Sequence, residues 1–289
     1  AQVAAIRPDL VYIHRLDDRK TIEAFIETGI PTVRFFHDTK LFCPREHRYT
    51  AIRHQTCHKP MGMRCYFPCL GFVNRMDAFP GIRLNLVRTL RANIRANKRL
   101  HAFVVASRYM ATLMVNHGFP FDRVHVIPLY ALPPQDGVRI AREQDLFLFI
   151  GHLVRSKGVD TLLQAMALTR RPVRLVIVGQ GRQEEMFLSL CNELGLQKRV
   201  SFLGQISHDA LAEWYRKAAC VVLPVRQPES FALVGPEAMS YGTPVIAANI
   251  GGVETWLEDG KTGLAVPPNN PQALAQAIDS IVEANGLRD

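Results

Sequence analysis

Six short runs in the second half of the chain, LFLFIG, VRLVIVG, VSFLG, CVVLPV, TPVIAA and GLAVPP, are apolar without alternation. A strand with one face in water alternates apolar with polar residues. A strand that is apolar throughout is buried on both faces, as in a parallel sheet covered by helices. Helix-like segments separate most of the runs: GVDTLLQAMALT, QEEMFLSLCNELG, HDALAEWYRKA, GPEAMSYG, VETWLEDG and PQALAQAIDSIVEA. Asp209 and Pro271 stand where helices begin, and Gly195, Gly242 and Gly260 where they stop. Strands alternating with helices in this way predict a complete doubly wound α/β domain over residues 139–289.

The first half is thinner. Strands are expected at DLVYIH, PTVRFFHD, AFVVAS and VHVIPL, and a helix at RLNLVRTLRANIRANKRLH. A Cys-rich insertion at 40–82, dense in Pro, His and Arg, is expected to be irregular. The Pro/Gly-rich stretch LPPQDGVRIAREQD, 132–145, marks the boundary, which gives a first domain over 1–138. Charge divides along the same line. Residues 1–140 carry 21 Lys+Arg against 10 Asp+Glu, a balance of +11; residues 141–289 carry 14 against 16, a balance of −2; together they make the net +9. A basic first half attracts phosphates, anionic lipid or nucleic acid. No recognised nucleic-acid motif accompanies it, so nucleic acid is not an expected partner. No apolar run of membrane-spanning length occurs, and AQVAAIRPDL lacks the order of a secretory signal. A reducing cytoplasmic setting is then the default, with Cys191 and Cys220 as buried thiols.

In open α/β sheets ligands bind beyond the carboxyl ends of the strands, so the turns there carry the functional reading. After LFLFI comes GHLVRSKG: Gly151 and Gly158 bracket His152, Arg155 and Lys157. After VRLVIV, Gly179 and Gly181 permit close backbone approach. After CVVLPV comes RQPESFALVGPE, leading into a helix whose free amides and partial positive charge suit a phosphate. Cations and bare amides on one sheet edge imply a diphosphate. Glu229 and Glu237 straddle that helix start, and carboxylates accept hydrogen bonds from sugar and ribose hydroxyls.

The stretches FIGHLVRSKGVDTLLQAM, VIVGQG, RVSFLG and PESFALVGPEAMSYGTPVIAANIGGVETWLEDGKTGLAVPP resemble the donor-binding domain of family-4 glycosyltransferases. The likeness continues more faintly through IPTVRFFHDTKLFCP and VVASRYMATLMVNHGFPFDRVHVIPL. It implies a GT-B fold, two Rossmann-like doubly wound domains, the first incomplete here. It implies retaining transfer of a hexose from a nucleotide-diphosphate sugar to a hydroxyl of a glycan or lipid-linked acceptor, without a protein nucleophile and without a required cofactor. By the same resemblance Glu229 holds donor-sugar hydroxyls, Glu237 holds the ribose and Lys157 neutralises the diphosphate. The stretch Ser230, Phe231, Ala232, Leu233 and Val234 meets phosphate or sugar, and His37 stands near the transferred sugar. His152 occupies a position where the family usually has Arg, and Arg155 is placed to supply that guanidinium. PLY, 128–130, replaces the family's PNG. The family's early glycine-rich loop is missing, which implies further sequence upstream of Ala1. A nucleotide-sugar-binding module without turnover is the alternative.

Two features stay open. Cys43, Cys57, Cys65 and Cys69, with His47, His54 and His58 among them, fit either a structural zinc site or free thiols. Arg88, Arg91, Arg95, Lys98 and Arg99 recur at helical spacing, with Val87, Leu90 and Ile94 free to face the core. That pattern fits a solvated helix face or peripheral attachment to the anionic inner surface of a membrane.

Overall fold

The computed structural model describes residues 6–45, 48–50, 56–57, 59–67, 69–71, 73–75, 82–84, 86–132, 134, 138 and 140–286. The chain forms two compact units, Ala1–Leu129 and Tyr130–Asp289.

The second unit is a six-stranded parallel sheet. Its strands are β7 (Glu143–Ile150), β8 (Arg174–Val178), β9 (Val200–Gly204), β10 (Ala218–Leu223), β11 (Val245–Ala248) and β12 (Leu264–Val266), in the order β12-β11-β10-β7-β8-β9. The unbroken apolar runs now have their reason. Along β7, Phe147 and Phe149 enter one core while Leu146 and Leu148 enter the other; along β8, Leu175 and Ile177 oppose Val176 and Val178 in the same way. Each buried side chain of this size contributes about 1.5–3 kcal/mol relative to exposure, so a polar residue on either face would be costly. Helices Val159–Leu168, Glu184–Glu193, His208–Lys217, Val234–Ser240 and Pro271–Gly286 complete the unit. Ser207 caps the third of these by accepting from the Ala210 amide at 3.2 Å. VETWLEDG, expected as a helix, is instead a 3₁₀ turn over Gly252–Thr255. The Gly252 amide is drawn to the Glu229 carbonyl at 2.7 Å, and the Trp256 indole to the Phe231 carbonyl at 2.6 Å. Those contacts bend the segment before a second turn can form.

The first unit holds a four-stranded parallel sheet, β1 (Val11–Ile13), β2 (Thr32–Phe36), β5 (Ala102–Val105) and β6 (Val124–Val126), in that spatial order. Among the described residues three helices accompany it: α1 (Arg19–Glu27), α2 (Val87–Asn97) and α3 (Arg108–Asn116). Asp18 and Ser107 cap the first and third. Ile22, Phe36, Phe42, Leu100, Phe103, Met110 and Met114 make the core. The 40–82 insertion, expected to be irregular, ends in an antiparallel pair, β3 (Val73–Arg75) with β4 (Ile82–Leu84). The following helix therefore starts at Val87, four residues later than the sequence suggested. On α2, Val87 and Ile94 are buried while Arg88, Arg91, Arg95 and the neighbouring Arg99 are exposed.

The four cysteines of the insertion lie within the described residues. None of the six cysteines is in a disulfide, and among the described residues no three of His, Cys, Asp or Glu gather to hold a metal. Cys43 is buried, whereas Cys57, Cys65 and Cys69 are half-exposed. The Cys57 sulfur turns toward the Lys59 carbonyl at 3.9 Å, and burial pushes the Cys43 thiol up. His47, His54 and His58 lie outside the described residues. No helix of the described residues is long and apolar enough to cross a membrane.

Candidate functional site

The strand order of the second unit reverses between β7 and β10. The loops after these two strands flank the crevice where such sheets take ligands. The loops approach each other backbone against backbone. Gly158 has φ +77°, and a Cβ there would lie 1.8 Å from the Pro224 carbonyl oxygen. Gly179, after β8, has φ +132°, and its Cβ would lie 2.0 Å from the Gly151 oxygen. A Cβ on Gly181 would press on Leu153. Each glycine sits where no other residue fits without backbone movement.

Across this crevice Lys157 donates from Nζ to Glu229 Oε1 at 2.6 Å. Both side chains are three-quarters or more buried, at 25% and 16% exposure, so each holds the other in place. Arg155 and His152 lie on the same loop with exposed side chains, and the Arg155 amide donates to the Gln183 side chain. Arg226, which the sequence reading passed over, ties the two loops together. Its amide donates to the Ser156 carbonyl at 2.9 Å, and its guanidinium reaches Asp160 at 3.0 Å and the Thr161 hydroxyl at 2.8 Å.

From Glu229 the chain turns into the helix Val234–Ser240. Glu229 bridges in parallel to Gly251, and a Cβ on Gly252 would lie 2.2 Å from the Ser230 oxygen, so the loop after β11 presses on this segment. Phe231 is buried. Ala232 has φ +62°, a left-handed conformation that an alanine adopts only under constraint. Leu233 precedes the helix without any side-chain cap; in the first turn the Gly235 and Glu237 amides donate to the Ala232 and Leu233 carbonyls at 3.1 and 2.9 Å, and Pro236 has no N–H. Gly235 lies under Trp256, whose ring would be 2.2 Å from an added Cβ. Glu237, in the first turn, accepts from the Tyr215 hydroxyl at 3.0 Å. Tyr215 is buried and stacks on Tyr241 with ring centres 5.2 Å apart. Burial, reinforced by the Glu237 carboxylate, pushes its phenol well up, so it stays a donor to that carboxylate. Tyr215 and Trp256 had no signal in the sequence beyond being aromatic near a helix end.

His37 lies in the first unit, just past β2, in a cavity of about 370 Å³ lined also by Arg15, Asp17, Arg34, Asp38 and Lys40. Its Nε2 is 2.7 Å from Nδ1 of His14, and its ring tilts against Phe35 at 4.3 Å. One imidazole donates and the other accepts, so the contact suits at most one positive charge. Burial, then His14 and Arg15, lower the His37 pKa. Beneath lies Arg34, buried, bonded to Asn97 at 2.6 Å and seated over the Phe36 ring at 4.7 Å. His14 also went unnoticed in the sequence, because its partner is 23 residues away.

Comparison with known proteins follows the same division. Residues 135–289 match the family described as glycosyl transferases group 1. An uncharacterized glycosyltransferase of Methanocaldococcus jannaschii is 34% identical over 155 residues, covering 53% of this chain and 39% of its own length. A D-inositol 3-phosphate glycosyltransferase of Xylanimonas cellulosilytica is 33% identical over 208 residues, 65% of this chain and 50% of that protein. The chain thus spans half or less of the length of these relatives. HepE of Anabaena, solved in complex with UDP, superposes with a TM-score of 0.67 at 20% identity, covering 98% of this chain and 71% of HepE. Sucrose-phosphate synthase from Thermosynechococcus elongatus gives 0.69 at 22% identity, with 99% and 67% covered. The fold is the α/β arrangement of two Rossmann-like domains seen in these GT-B structures.

Proposed function

The chain belongs to the glycosyl transferases of group 1, and from that membership we propose that it transfers a hexose, with retention, from a nucleotide-diphosphate sugar to a hydroxyl of a glycan or lipid-linked acceptor. The observation that carries the reading is the Lys157–Glu229 pair across the β7/β10 crevice. In the free protein each charge is answered by the other. When a donor enters, Lys157 faces the diphosphate and Glu229 accepts from sugar hydroxyls, the one contact orienting the other. Glu237, held by Tyr215, is positioned to accept from ribose hydroxyls. Charge developing on the leaving diphosphate is met by Lys157, by Arg155 and by the backbone amides from Phe231 to Val234; this electrostatic stabilisation asks for no metal. Gly151, Gly179 and Gly181 let backbone approach the diphosphate closely. His37, on the first unit, is assigned to the transferred sugar, and neutral imidazole is the form its surroundings favour. Attack from the face the diphosphate leaves gives retention without a protein nucleophile. The reading places the enzyme in the cytoplasm, on the inner face of the membrane where a lipid-linked acceptor would lie.

The test is calorimetric titration with UDP, GDP and ADP and their sugar conjugates, repeated with Glu237→Ala. One nucleotide binding at micromolar affinity, and at least tenfold more weakly to the variant, supports the reading; UDP goes first because HepE is solved with it. Proton NMR of the product anomer then reads retention directly. Absence of binding to every nucleotide, by folded protein, overturns the donor assignment.

A further inference from the structure

A second concavity, of about 230 Å³, lies in the first unit between α2 and the end of α3. Arg91, Arg95 and Lys98 line it, one helical face at spacings of four and three residues. Among the described residues no carboxylate lines it. The sequence accounts for that: from residue 78 to 121 there are seven Lys+Arg and no Asp or Glu. Like charges at this spacing repel and weaken a helix. Among the described residues no acidic group relieves them. Met61 and Ile94 give the concavity apolar surface. His117 closes one side and is fixed by two bonds, its Nε2 accepting from the Met61 amide at 3.1 Å and its Nδ1 donating to the Leu113 carbonyl at 2.7 Å. That tautomer is neutral, so the positive charge belongs to the two guanidiniums and the ammonium.

We propose that this concavity is a binding site for a phosphate ester with a small carbon body, separate from the donor crevice of the second unit. Two guanidiniums one helical turn apart offer paired N–H groups to phosphate oxygens, the geometry in which arginine surpasses lysine. The ammonium adds a third charge, and the Met61–Ile94 surface takes the carbon part. Because His117 is held neutral, binding varies little between pH 7 and 9, where neither the cations nor the phosphate ester changes charge.

The probe is glycerol 3-phosphate, titrated by calorimetry in saturating UDP with glycerol as the control. Arg91→Gln/Arg95→Gln is compared with Arg88→Gln/Arg99→Gln, which removes equal charge from exposed positions outside the concavity. The expected result is saturable binding that weakens about tenfold or more in the first variant and less than about twofold in the second. Lys98→Gln, with a smaller loss, serves if the first variant does not fold. Sedimentation with phosphatidic acid/phosphatidylcholine vesicles separates the sources: vesicle binding lost with Arg91 and Arg95 identifies a lipid headgroup, and soluble binding alone identifies a free ester. No binding by the wild type, or equal loss in both variants, overturns the proposal.

Discussion

The ammonium of Lys157 and a carboxylate oxygen of Glu229 meet at 2.6 Å although 72 residues separate them in the chain. The two sit on loops from adjacent strands, and their pairing answers two charges that water reaches only in part. Lys157→Met leaves Glu229 without its partner, a change expected to destabilise the fold by about 1–3 kcal/mol. Glu229→Gln, which keeps an acceptor for the ammonium, is expected to be milder. Urea unfolding of both variants checks the ordering, and an equal or opposite effect would show that the pair does not act as a unit. Nucleotide affinity is expected to fall with Lys157→Met by tenfold or more, on the order of a lost charge-assisted contact.

Tyr215→Phe removes one hydroxyl from a buried ring and leaves its stacking on Tyr241 intact. Stability is expected to drop by about 1 kcal/mol. The informative readout is nucleoside preference. If Glu237 meets ribose, the variant weakens ribonucleotide binding severalfold and weakens the 2′-deoxynucleotide less. Equal weakening of both would leave Tyr215 with a packing role only.

Gly158→Ala and Gly195→Ala separate steric from conformational strain. Both glycines have positive φ, +77° and +67°, but an added Cβ meets the Pro224 carbonyl at 1.8 Å in the first and nothing within 4 Å in the second. Gly195→Ala is expected to lower stability by roughly 1 kcal/mol, the penalty for a left-handed alanine. Gly158→Ala is expected to lose more than that, because the β7 and β10 loops must part, and to lose nucleotide binding with it. Thermal unfolding alongside titration decides whether the two effects travel together.

The histidines of the first unit set a pH dependence. His37 and His117 both have pKa values lowered from the ordinary 6.5, chiefly by burial. Below 6.5 the unfolded chain therefore binds protons that the folded chain does not yet bind. Stability rises with pH up to about 6.5 and is lost as pH falls below it. Urea midpoints between pH 5 and 7.5 are expected to follow that slope, and His37→Gln to flatten it. An unchanged slope in the variant would assign the dependence elsewhere.

What could be read in the sequence was whatever is written locally. The β7, β8 and β10 runs announced themselves because every residue of a doubly covered strand must be apolar, and Lys157, Glu229 and Glu237 followed from their places after those strands. Tyr215, Arg226, Trp256 and His14 stayed invisible because their roles come from partners that only the topology supplies. The turn at Gly252–Thr255 misled for the same reason: the apolar spacing of VETWLEDG suggested a helix, while contacts with Glu229 and Phe231 tie the segment down as a single turn.

The sheet order has a consequence for how the crevice comes into being. β7 pairs with β8 and β8 with β9 across single helical crossovers, but β10 must return to pair with β7, Val221 beside Leu148. That closure spans roughly seventy residues, and pairings of such sequence separation form slowly and late in folding. Lys157 and Glu229 lie on either side of it. The same long-range pairing that closes the centre of the sheet brings the two sides of the crevice together.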